Sequence, residues 1–127
     1  MKIFNIFVFA ASLLSSSAFA IDPFTIEQGK AMFEEHLVAI GAAKYKDLRI
    51  NVHFDVEKGQ KKYVQVLCGK VSAKNRMGVQ MQYTYFYQTQ YSEEFGIVDG
   101  ENATTEARMF AILCLDMSPK EAVKKIP

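Results

Sequence analysis

Apolar and polar residues alternate strictly from Asp47 to Glu57. Every second residue of this segment is apolar, namely Leu48, Ile50, Val52, Phe54 and Val56, and the residues between them are polar or charged. A period of two places the two sets on opposite faces of a β-strand. Lys58-Gly59-Gln60 supplies a turn, and a second strand is predicted from Tyr63 to Ala73. The two strands predict an antiparallel hairpin.

The period becomes helical on the N-terminal side of this hairpin. Thr25 and Gln28 have the capping-box spacing that starts a helix. Apolar or amphipathic residues then recur three or four positions apart, at Ile26, Lys30, Phe33, Leu37 and Ile40. This spacing predicts an amphipathic helix that ends near Gly41 and buries one face.

Residues 79–91, VQMQYTYFYQTQY, contain no formal charge and predict a third strand after an Asn75–Gly78 turn. The odd positions carry most of the tyrosines and the even positions carry glutamines. Under one interpretation the tyrosine face packs against a helix and the glutamine face meets water. Under the other, the tyrosines form a recognition strip, because tyrosine is enriched where one end of a side chain is buried and the other is wet.

The sequence pattern assigns secondary structure less clearly in the C-terminal third. Residues 95–98 fit a short fourth strand, and Ser118-Pro119 fits the start of a short final helix. Between them, residues 104–116 contain an apolar run whose composition favours helix, with a buried strand as the competitor. We therefore expect an α+β fold with an N-terminal helix, an antiparallel meander of three to four strands and a C-terminal helix.

The first 20 residues have the layout of a secretory signal peptide. One lysine, Lys2, precedes an apolar run from Ile3 to Leu14, and Ala18-Phe19-Ala20 provides a small-residue cleavage site. Cleavage would leave residues 21–127 as a single compact α+β domain with no integral membrane span, in the periplasm or secreted. The competing interpretation is an uncleaved membrane anchor.

Charge and motifs narrow the expected chemistry. The chain has 15 basic and 14 acidic residues, and removal of Lys2 with the signal peptide leaves 14 of each. The mature chain is therefore close to neutral, so no nucleic-acid partner is expected. Both histidines, His36 and His53, fall on polar faces and are expected to be exposed. No phosphate-binding loop, nucleophile motif or metal-ligand spacing occurs, so no cofactor or metal is expected and an enzyme is the less favoured class.

The sequence contains two cysteines, Cys68 and Cys114. In an exported domain of this size a lone pair is usually a disulfide. Two buried free thiols or a redox-active pair remain alternatives, although 46 positions separate the cysteines and no Cys-x-x-Cys motif is present.

The segment Cys68-Gly69-Lys70-Val71-Ser72-Ala73-Lys74-Asn75, followed by Gly78, resembles a motif of small exported bacterial proteins of unknown function. Those proteins have an aromatic strand after the motif and a second cysteine in a C-terminal helix, the position of Cys114 here. The resemblance implies the hairpin architecture, a disulfide that ties the C-terminal helix to the second strand, and bacterial export. It implies no activity.

These observations predict a non-catalytic binding or inhibitory module of the bacterial cell envelope. Its partner would be an unknown protein or glycan, held by the turn and the tyrosine strip through Lys74, Asn75, Arg76, Tyr83, Tyr85 and Tyr87. The alternative is a small periplasmic enzyme or redox protein whose site carries no recognisable motif.

Overall fold

A four-stranded antiparallel sheet in the order β1-β2-β3-β4 organises the computed structural model, which describes residues 23–37 and 43–126. The elements are α1 (Ile26–Glu34), β1 (Lys44–Glu57), β2 (Gln60–Ser72), β3 (Thr84–Thr89), β4 (Phe95–Ile97), a 3₁₀ turn (Gly100–Asn102), α2 (Ala103–Cys114) and α3 (Pro119–Lys125). The predicted α+β class is confirmed. The segment 104–116, for which helix and buried strand competed, forms the helix α2. The predicted signal peptide, residues 1–20, lies outside the described residues.

Helix α1 begins at the predicted capping box. The Thr25 hydroxyl accepts a hydrogen bond from the Gln28 backbone N–H, and the Gln28 side chain accepts one from the Thr25 N–H. The helix ends at Glu34, earlier than predicted, and the residues that follow make tertiary contacts. His36 stacks on Phe95 at 3.7 Å between ring centroids, and its Nε2 lies 2.8 Å from the Ser92 carbonyl oxygen. The predicted continuation through residues 38–41 lies outside the described residues.

Helices cover both faces of the central strands β2 and β3. On one face α1 packs Phe33 against Leu67 and Phe86. On the other face α2 packs Phe110 against a cluster that includes Cys68 and Tyr87. The prediction that the glutamine face of β3 meets water is therefore wrong at Gln88, which is fully buried.

The disulfide joins Cys68 in β2 to Cys114 in the last turn of α2, with an S–S distance of 2.06 Å. The expected pairing is confirmed, so the alternative of two buried free thiols is wrong. The helix end is also held by the polar face of β1. Arg49 Nη2 donates to the Cys114 carbonyl at 2.6 Å, and Asn51 Nδ2 donates to the Leu113 carbonyl at 2.7 Å. These donors satisfy carbonyls that the end of a helix otherwise leaves without partners.

A bulge shapes the start of β1. The register with β2 shifts between Lys46 and Arg49, and Asp47 has a φ of 54°. Gly69 lies opposite, where an added Cβ would be 2.8 Å from Leu48 Cδ2 and 3.0 Å from the Lys46 carbonyl oxygen. The close backbone approach that a glycine inside a strand indicates is therefore present.

The hairpin of β1 and β2 extends beyond α1. Leu48 and Ile50 pack against the core on the α1 face, but the same face of β1 continues with Val52, Phe54 and Val56, which are exposed. Phe54 contacts Tyr63 of β2 edge to face, at 4.6 Å between ring centroids. The alternation correctly predicts a strand, but only its first half reaches the core.

Candidate binding surface

Two of the predicted tyrosines, Tyr83 and Tyr85, are partly exposed to solvent. Tyr83 is 37% exposed and Tyr85 is 48% exposed, whereas Tyr87 is only 5% exposed. The Tyr85 ring packs against Phe110 of α2, at 4.9 Å between centroids. Tyr85 therefore has one side in the core and the other in solvent, which suits a recognition residue.

Each of these two exposed tyrosines is paired with a lysine, one from β1 and one from β2. Lys46 Nζ lies 4.1 Å from the Tyr83 ring centroid, and Lys70 Nζ lies 5.3 Å from that of Tyr85. The register explains the second contact, because Lys70 and Tyr85 are partners across β2 and β3. Lys46 is the partner of Lys70 across β1 and β2, and its side chain reaches Tyr83 from the far side of β2. Each cation-π contact at an exposed site contributes about 0.5–1 kcal/mol.

Tyr87 does not reach this surface, although the sequence grouped it with Tyr83 and Tyr85. It packs among the core residues beneath α2, and its hydroxyl donates to Glu106 Oε2 at 3.1 Å. Burial, followed by the charge of Glu106, raises the pKa of Tyr87. Tyr87 is therefore a core residue with a satisfied hydroxyl.

The turn that joins β2 to β3 projects two basic residues into solvent, Lys74 and Arg76. Asn75 between them organises the turn. Its Oδ1 accepts hydrogen bonds from the N–H groups of Met77 and Val79, at 2.9 Å and 3.0 Å. Asn75 thus has a structural role that leaves its side-chain oxygen occupied. The turn is present as predicted, but β3 begins only at Thr84 and the segment before it is exposed.

We use the name aromatic-basic surface for the set Lys46, Lys70, Lys74, Arg76, Tyr83 and Tyr85. Asp47 is its acidic neighbour, with Oδ2 at 3.8 Å from Lys70 Nζ. The chain as a whole has a formal charge of +1, so the positive charge of this surface is a local feature. Lys46 and Lys70 were missed at the sequence level. The signal that points to them is the cross-strand register, which only becomes known once the bulge in β1 is placed.

A cavity of about 440 Å³ adjoins the aromatic-basic surface and runs between the sheet and α2. Tyr85 and Lys70 line it together with Arg49, Phe110 and Leu115. The disulfide lies beneath it, since Cys68 is also in its wall. Both cysteines are almost entirely buried. A redox-active pair needs an accessible thiolate, so this bridge has the character of a structural cross-link.

A second concave region, of about 420 Å³, holds His53 together with Lys62, Glu93 and Glu94. The His53 side chain is only 14% exposed, with Nδ1 3.5 Å from Asp116 Oδ1. The prediction that both histidines are exposed is therefore wrong, because each is packed against neighbouring elements. No serine, threonine or cysteine lines this region among the described residues.

Residues 23–37 and 43–126 contain no group of three or more His, Cys, Asp or Glu placed to hold a metal ion. Within the same ranges, no helix has the length and apolar character needed to cross a bilayer. In comparisons with known proteins, no family model, no curated protein and no solved structure matches this chain.

Proposed function

We propose that this protein is a non-catalytic binding module of the bacterial cell envelope that holds a negatively charged partner on its aromatic-basic surface. The observation that carries the proposal is the pair of exposed lysine-tyrosine contacts, Lys46 with Tyr83 and Lys70 with Tyr85. Aromatic rings supply contact area at low conformational cost, and the lysines supply charge complementarity.

Localisation in the periplasm or outside the cell is part of the same proposal. It rests on the signal-peptide layout of residues 1–20 and on the disulfide, since disulfides persist in oxidising compartments. The resemblance of the Cys68–Asn75 segment to small exported bacterial proteins is consistent with it. A protein or a glycan that carries carboxylates or phosphates is the expected kind of partner.

Affinity capture from an envelope extract tests the proposal. The bait is the domain of residues 21–127, and the test variant is Tyr83→Ala/Tyr85→Ala. We expect a partner that wild-type protein captures at low salt, loses progressively as salt rises, and does not bind to the variant.

A matched control is available on the same molecule. Tyr63 and Tyr91 are 45% and 44% exposed, and Lys62 lies over the Tyr91 ring at 5.8 Å from its centroid. Tyr63→Ala/Tyr91→Ala therefore removes the same chemistry from a different place. Loss of capture in both variants, or in neither, would contradict the assignment to the aromatic-basic surface.

The alternative function, a small enzyme, is favoured by one observation, the concave region that holds His53 with Glu93 and Glu94. An imidazole beside carboxylates fits general acid-base chemistry. No serine, threonine or cysteine lines the region among the described residues, so the simplest reaction for this alternative is attack by a water molecule that His53 deprotonates. Hydrolysis of chromogenic esters or glycosides that disappears in a folded His53→Gln variant would support it over the binding proposal.

A further inference from the structure

The cavity between the sheet and α2 has the composition of a small-molecule site. Its volume of about 440 Å³ falls in the range of roughly 300–1,000 Å³ that such sites occupy. Most of its wall is apolar, and the side chains that form that part are Val98, Ala107, Phe110, Ala111, Leu115 and Ile126. A ligand that fills the cavity must therefore bring a hydrocarbon or aromatic body of moderate size.

Charged residues in the wall of the cavity come from β1 and β2 and are Asp47, Arg49 and Lys70. Two cations against one carboxylate give this part of the wall a net positive charge. Arg49 uses Nη2 on the Cys114 carbonyl, and a guanidinium has five N–H donors, so further donors remain for a ligand. Lys70 Nζ stands 3.8 Å from Asp47 Oδ2, which is a loose contact that an incoming anion can share.

The two parts of the wall together define the ligand class. A purely apolar molecule would desolvate Arg49 and Lys70 without giving them a partner, which costs free energy. A highly charged molecule would leave the apolar wall in contact with charge. An amphipathic monoanion satisfies both parts, because its tail covers the apolar wall and its head takes charge-assisted hydrogen bonds.

We propose that this cavity binds a small carboxylate with an apolar body, of the size of a medium-chain fatty acid, with the carboxylate at Arg49 and Lys70. The inference deepens the proposed function, on which it rests, because Lys70 and Tyr85 belong both to the aromatic-basic surface and to the cavity. It adds that the surface accepts a small ligand at its α2 end.

Calorimetric titration of the domain of residues 21–127 tests the inference, with decanoate, decanol and acetate as probes below micellar concentration. We expect saturable one-to-one binding of decanoate, binding of decanol that is about tenfold weaker, and no measurable binding of acetate. A factor of ten corresponds to the lower end of what a charge-assisted hydrogen bond contributes. Equal affinity for decanoate and decanol would overturn the proposal.

Two variants locate the ligand. Lys70→Gln removes one cation and should weaken decanoate about tenfold while leaving decanol unchanged. The control Lys62→Gln removes the lysine that lies over Tyr91, and it should change neither affinity. Ala107→Leu fills part of the cavity and should weaken both probes, with near-ultraviolet circular dichroism as the check that the variant is folded.

A competing apolar surface must be tested in the same series. Val52, Phe54 and Val56 form an exposed strip on the α1 face of β1. If Phe54→Ser abolishes decanoate binding and Ala107→Leu does not, the ligand lies on the strip and the proposal is wrong. Failure of the proposed function has a different signature, because decanoate would then bind as expected while Tyr83→Ala/Tyr85→Ala leaves envelope capture unchanged.

Discussion

Reduction of the Cys68–Cys114 bridge is expected to remove much of the stability of this domain. The bridge closes a segment with a sequence separation of 46 residues. On the chain-entropy model a loop of this length restricts the unfolded state by about 4 kcal/mol. Domains of this size unfold with about 5–15 kcal/mol, so the reduced protein should be markedly less stable at room temperature.

The reduced protein should nevertheless keep its native packing in the absence of denaturant. The two sulfur atoms remain in the core, and the contacts of Arg49 and Asn51 with the end of α2 do not depend on the bridge. Most of the effect therefore acts through the unfolded state. With a urea slope of about 1.5 kcal/mol per M, the unfolding midpoint should fall by about 2.5–3 M.

The assay is equilibrium unfolding in urea with and without a phosphine reductant, with intact mass after alkylation to count the free thiols. The control is Cys68→Ala/Cys114→Ala, which should be insensitive to reductant and less stable than the reduced wild type by about 1 kcal/mol, because two buried sulfur atoms leave a small void. A midpoint shift below about 0.5 M with both thiols alkylated would refute the chain-entropy argument.

Four further predictions concern single contacts. Gly29→Ala places a Cβ 2.8 Å from Leu67 Cδ2. It should lower the unfolding free energy by about 1–2 kcal/mol in urea, although alanine is the better helix former. An unchanged midpoint would mean that α1 shifts to accept the methyl group. Arg49→Met removes the donor to the Cys114 carbonyl and should cost about 1–2 kcal/mol in the same assay, whereas Lys58→Met in the β-turn should have no measurable effect. Burial and Glu106 raise the pKa of Tyr87 above the ordinary tyrosine value of 10.0, so this tyrosine loses its proton at a lower pH in the unfolded chain than in the folded one. The unfolding free energy should therefore be constant below about pH 10 and fall as the pH rises towards the native pKa. The fall should be smaller in Tyr87→Phe. Phe54→Thr, at a residue that is 60% exposed, should lower the unfolding free energy by about 0.5–1 kcal/mol, because it removes the cross-strand ring contact with Tyr63, and it should raise solubility. A loss above about 2 kcal/mol would show that the strip is covered in solution.

Local rules sufficed for most of the secondary structure. The capping box of Thr25, the alternation of β1 and the Ser118 cap of α3 each depend on residues close in sequence, and each is present. The disulfide was predictable because two cysteines allow one pairing. These features carry their own physical signal, so no knowledge of the tertiary structure was needed to infer them.

The parts that failed depend on what packs against a strand. The glutamine face of β3 was expected to meet water, yet Gln88 is buried, and its Nε2 donates to main-chain oxygens of Tyr91 and Ser92 in the segment between β3 and β4. Val56 shares a face of β1 with Ile50, yet Ile50 packs against the core and Val56 is exposed. The candidate site has the same origin, since Lys46 of β1 meets Tyr83 across the intervening strand β2. A pattern of period two specifies faces and leaves open which stretch of each face is covered.

The clasp of α2 by β1 has a consequence for recognising related chains. Arg49 and Asn51 reach main-chain oxygens, and no side chain of the helix is needed to receive them. Side chains of the final helical turn, apart from Cys114, can therefore be substituted without loss of these two hydrogen bonds. The contacts require two side-chain donors two positions apart in β1, here Arg49 and Asn51. They also require that the first donor is the cross-strand partner of the disulfide-bonded cysteine in β2, as Arg49 is of Cys68. Distant homologues should keep this spacing even where the overall sequence identity is low.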